Sequence, residues 1–140
     1  MGKKTDYVVD KETAIKEYER FVDLMDLDVD LDDMDDDDKR EFTDHQRIIL
    51  RAIRRGHLAI DEKGQPVYTT QREPKAGETL VFKEPNGAAL MAMDRKKNHE
   101  DVGKMYATMG QITGTNAKTF SLMAYPDLKV CTAVVTLFLA

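Results

Sequence analysis

Residues 125–140 read YPDLKVCTAVVTLFLA. Pro126 lacks an amide that would go unpaired in a first helical turn, and Asp127 faces the positive end of a helix dipole, so the spacing predicts a helix from here to the end. After Lys129 the stretch carries no charge, and Val130, Val134, Leu137 and Phe138 fall on different sides of that helix. The eleven residues from 130 to 140 fall short of the roughly 20 that a membrane helix needs, so this surface is expected to be buried in protein. Burying one Leu, Val or Phe contributes about 1.5–3 kcal/mol, and a second face left in water favours self-association or a client.

Working back from that helix, DVGKMYATMGQI (101–112) places Val102, Met105, Tyr106, Met109 and Ile112 on one stripe and stops at Gly114. It is the expected packing partner of the last helix. Asn116 caps a short helix holding Phe120 and Met123, and Asn86 caps a helix through GAALMAMDRKK with Leu90, Met91 and Met93 as its apolar residues. Before these, LAIDEKGQPVYTT (58–70) alternates Leu58 and Ile60, turns around Gly64 and resumes at Val67 and Thr69, which predicts a hairpin. Glu78 to Lys83 adds a third strand. TDHQRIILRAIRRGH (43–57) reads as a helix capped by Thr43 or Asp44 and ended near Gly56, with Ile49, Ala52 and Ile53 on one face and Arg47, Arg51, Arg54 and Arg55 on another. Residues 10–25 form an amphipathic helix through Ala14, Ile15, Tyr18, Phe21, Val22 and Met25. The fold class is α+β and mostly α: a small antiparallel sheet followed by a C-terminal helical bundle.

Charge divides the chain unevenly. Residues 23–38 hold ten aspartates and no basic residue, so the other 124 positions carry a net charge of +5 although the whole chain stands at −5. Such a block of like charge is expected to stay open unless it is neutralised. The organisation expected is an N-terminal helix (1–25), an acidic flexible linker (26–40) and one domain (41–140) made of a helix, the sheet and four C-terminal helices. The acidic strap is expected to fold back over the Arg47 to Arg55 face when no partner is present.

Catalytic and metal signatures are absent. Ser121 is the only serine and lies outside any G-x-S-x-G, and Cys131, the only cysteine, has apolar surroundings and no histidine nearby in sequence, so it reads as a packing residue in a reducing cytoplasm. His45, His57 and His99 do not form the i, i+4 pair of a helical zinc site and read as surface residues. GQITGTNAKT breaks the ending a phosphate loop needs, and the aspartate run has Leu31 and Asp37 where a calcium loop needs glycine and glutamate. The expectation is a protein that is not an enzyme and has no cofactor and no metal site. The arginine face could hold phosphates, but the aspartates upstream disfavour nucleic acid, and no secretory or myristoylation pattern opens the chain.

TLVFKEPNGAALMAMD, DVGKMYATMGQITG and YPDLKVCTAVVTLFLA, in that order, resemble the tail assembly chaperones of long-tailed bacteriophages. The matching positions are Leu80, Phe82, Lys83, Glu84, Pro85, Gly87, Ala88 and Leu90, then Ile112, Thr113 and Gly114, then Leu122, Asp127 and Leu128, and finally Phe138 and Leu139; the resemblance covers about residues 57–140 and leaves 1–56 as an extension. It implies a protein of the host bacterial cytoplasm that binds the tape measure protein, keeps it soluble, yields it to polymerising tail-tube subunits and does not remain in the virion. It also implies a longer product made by frameshifting. A homo-oligomer is expected, and no membrane partner. The residues assigned to partner binding are Met105, Tyr106, Met109, Ile112, Phe120, Met123, Val130, Val134, Leu137 and Phe138. Two other functions fit the same pattern: a structural tail or head-completion component of the virion, and an acidic mimic of nucleic acid that regulates a host protein.

Overall fold

Asp35 begins the nineteen-residue helix on which the molecule is built. Its side chain accepts a hydrogen bond from the amide of Asp38 at 2.8 Å, and Asp36, Asp37 and Asp38 fill the first turn of α2 (Asp36–Arg54). Three carboxylates repel one another, but at a helix N-terminus each also meets unpaired amides and the positive end of the dipole, and Arg51 and Arg54 supply the complementary charge in the last turn. The linker expected over 26–40 is thereby corrected: residues 36–40 are helix. Thr43 and Asp44, expected as caps, lie inside it.

The computed structural model describes residues 7–94 and 101–139. Within them the order is α1 (Lys11–Leu24), a single 3-10 turn (Leu31–Asp33), α2, the strands β1 (Leu58–Ile60), β2 (Pro66–Thr69) and β3 (Thr79–Val81), then α3 (Gly87–Asp94), α4 (Asp101–Thr113), α5 (Ala117–Ser121) and α6 (Tyr125–Phe138). This is the mostly helical α+β fold that the periodicity predicts. The part of the Asn86-capped helix beyond Asp94 lies outside the described residues, as do His99 and the side chains of Leu90, Met93 and Val102.

The three strands are antiparallel in the order β1-β2-β3, with Ala59 opposite Val67 and Tyr68 opposite Leu80. Alternation sends Leu58, Ile60, Tyr68 and Leu80 inward. The β1–β2 turn needs its glycine twice over: Gly64 has φ +85, and a Cβ there would lie 2.6 Å from the Cβ of Leu24 on α1.

α1 is not a separate unit. Ala14, Tyr18, Phe21 and Met25 belong to the same buried cluster as the sheet and α6, and the rings of Phe21 and Phe138 meet edge to face at 5.4 Å. Arg20 ties α1 to β1 by donating to the carbonyls of Ile60 and Asp61 at 2.6 and 2.7 Å. Residues Tyr7 to Val9 lie over the end of α2, where the amides of Val8 and Val9 donate to the Arg54 carbonyl.

α6 packs chiefly on α2, with α4 a lesser neighbour, whereas the sequence pattern points to α4. Cys131, Ala133, Val134, Val135 and Leu137 are fully buried. The apolar excess of the last helix is therefore covered chiefly by α2, with Phe21 of α1 meeting Phe138 at its end.

Candidate functional site

Of the ten residues assigned to partner binding, seven are core: Met109, Ile112, Phe120, Met123, Val134, Leu137 and Phe138 are each at most 9% exposed. The expectation that they offer a surface is corrected, because their side chains belong to the buried cluster that the helices and the sheet share. Met105, Tyr106 and Val130 are half-buried and packed against the core, with part of each side chain open to solvent.

Met105 lines a groove of about 450 Å³ with Met34, Phe42 and Leu139 as apolar walls. Four parts of the chain converge there: the strap, the first turns of α2, the side of α4 and the end of α6. The strap reaches it because Leu27, Val29 and Met34 pack against the core while the aspartates between them face outward. Asp28, Asp30, Asp33, Asp38 and Glu41 rim the groove, and among the described residues no lysine or arginine lines it. Asp30 uses an oxygen on the amide of Asp32 at 3.0 Å to close the 3-10 turn. His45 is half-buried, with Nε2 3.8 Å from the Glu41 carboxylate and Nδ1 buried without a hydrogen-bond partner among the described residues. The strap thus covers the acidic end of α2; at 1.5 Å per residue, about 22 Å of helix separates Asp36 from Arg51. Its expected closure over the arginines does not occur. Among the described residues no cluster of His, Cys, Asp or Glu is arranged to hold a metal ion.

The arginines divide. Arg47 pairs with Asp44 at 3.1 Å, and Arg54 lies 4.0 Å over the Tyr7 ring and donates to the Val9 carbonyl. Arg51 and Arg55 instead line a second pocket, of about 440 Å³, with His57, Arg72, Lys129 and the buried Asp127. Asp127 is 1% exposed and accepts three hydrogen bonds: from the Tyr68 hydroxyl at 2.6 Å, from the Gln71 amide at 2.9 Å and from the Arg72 amide at 3.0 Å. One side chain at the start of α6 thereby fixes the loop after β2. Burial, then this hydrogen bond, pushes the Tyr68 hydroxyl far above its ordinary range, and burial beside Asp127 does the same to the Cys131 thiol. Burial and the neighbouring Arg55 hold His57 below 6.5 against the pull of Asp127. His45 and His57 are therefore not plain surface residues.

Sequence pattern placed Asp127 in the first turn of α6 but gave no sign of its burial, since its donors lie 55 to 59 residues away. The groove was missed for a related reason: Met34, Phe42 and Leu139 come from segments read as separate. Comparison with family models, with curated proteins and with solved structures gives no match.

Proposed function

We propose that this chain is an assembly chaperone of the phage-tail type, with the tape measure protein as its client, and that the client docks in the Met105 groove as a basic amphipathic helix. The observation that carries this reading is the pairing of apolar walls from Met34, Phe42, Met105 and Leu139 with five carboxylates on the rim. A helix laid in such a groove buries its apolar stripe while its lysines or arginines meet the rim. Methionines suit a repetitive client because they repack around varied side chains. The resemblance over residues 57–140 supplies the class of function. Docking in the groove leaves the core intact, so the proposed binding does not require α6 to open.

Co-expression with the tape measure protein of the same phage tests the reading. The expected result is a soluble complex, weakened at least about tenfold, or 1.4 kcal/mol, by Met105→Glu. A client that stays insoluble, or that binds the variant equally well, overturns it.

A further inference from the structure

The second pocket holds more positive charge than its own carboxylate offsets. Arg51, Arg55, Arg72 and Lys129 line it, and among the described residues Asp127 is the one acidic residue that lines it. The oxygens of Asp127 are already engaged by Tyr68 and by the amides of Gln71 and Arg72. Lys129 has its ammonium 5.3 Å over the Tyr125 ring. Among the described residues the guanidinium groups of Arg51 and Arg72 have no hydrogen-bond or ion-pair partner. These cations come from the end of α2, the β2–β3 loop and the start of α6, and the Asp127 hydrogen bonds hold the last two together. Arg51 and Arg72 carry like charge with no counter-charge bound to either among the described residues, and an anion between them relieves that repulsion.

We propose that this pocket binds a small phosphorylated molecule of the nucleotide class, with its phosphates between Arg51 and Arg72 and its organic part on Ile48, Ala52, Pro126 and Val130. Guanidinium forks match phosphate oxygens in pairs, and several cations around one carboxylate suit a multiply charged anion better than a single carboxylate. The volume of about 440 Å³ falls in the range of small-molecule sites, and the apolar floor gives a base or sugar a surface to cover. A nucleic-acid strand is disfavoured. It needs an extended basic track, whereas α2 turns acidic within its own length.

The test is calorimetric titration of the full-length protein with ATP, with inorganic pyrophosphate and with a single-stranded oligodeoxynucleotide, at one ionic strength. Arg51 and Arg72 are exposed, so Arg51→Gln with Arg72→Gln leaves the core untouched; circular dichroism checks that it does. The proposal expects saturable binding of ATP, weaker binding of pyrophosphate, and at least about a tenfold loss of ATP affinity in the double variant. Absence of ATP binding, or equal binding by the variant, overturns it. An oligodeoxynucleotide that binds more tightly than ATP overturns it in favour of a nucleic-acid site. The chaperone reading is untouched by any of these results, since client capture is read at the other end of α2.

Discussion

The Tyr68 hydroxyl reaches across the interior to the Asp127 carboxylate at 2.6 Å, joining the middle strand to the first turn of α6. Neither group has water as an alternative, for Tyr68 is 2% exposed and Asp127 1%. Removing the carboxylate strands a hydroxyl and two amides, so Asp127→Ala is expected to cost about 3 kcal/mol, and Tyr68→Phe about 1.5 kcal/mol. Urea unfolding of both single variants and the double variant measures the coupling. Strictly additive losses would show that the bond contributes nothing.

His57 gives the fold a dependence on pH of known sign. Its folded pKa lies below 6.5, so near neutrality the unfolded chain takes up the proton first and stability rises with pH in that interval. The contribution is complete above about 6.5 and fades as pH falls through that value. The urea midpoint is expected to drop between pH 7.5 and 5.5 in the wild type, and to drop less in His57→Gln.

Phe21 shows that α1 belongs to the core. It is fully buried and meets Phe138 edge to face at 5.4 Å. Phe21→Ala is expected to cost about 4 kcal/mol, against at most about 0.5 kcal/mol for a change at the exposed Glu19. A calorimetric melt in which Phe21→Ala leaves Tm unchanged would mean that α1 is an independent appendage.

Gly110 lies where α4 and the cap of α5 come closest. A Cβ there would lie 2.7 Å from the Cα and carbonyl carbon of Asn116, and backbone cannot swing aside as a flexible side chain would. Gly110→Ala is expected to cost about 1–3 kcal/mol, whereas Gly87→Ala, which opens onto empty space, stays within about 0.5 kcal/mol. Paired denaturation curves decide it.

Local signals carried most of the fold. Asn116 accepts the Thr119 amide at 3.2 Å as its position foretells, and the hairpin turns at Gly64. What escaped were properties that need a distant partner. Val134 and Leu137 look surplus on a wheel drawn for α6 alone, yet both are fully buried in the fold, where α6 packs chiefly on α2. The aspartate run was misread because repulsion among Asp36, Asp37 and Asp38 was weighed without the amides they face. The groove depends on the strap crossing the start of α2, and the basic pocket on Asp127 gathering the β2–β3 loop, and neither long-range meeting leaves a trace in spacing.

Because α2 carries aspartates at one tip and arginines at the other, its side-chain charges are separated along that axis. In the field of a cationic body that separation gives a torque before any atoms touch, one that favours the acidic end of α2, where the groove lies, facing forward. Under the proposed chaperone reading the approach of the client is accordingly oriented, and dissolved salt, by shortening the range of that field, sets the distance at which alignment starts.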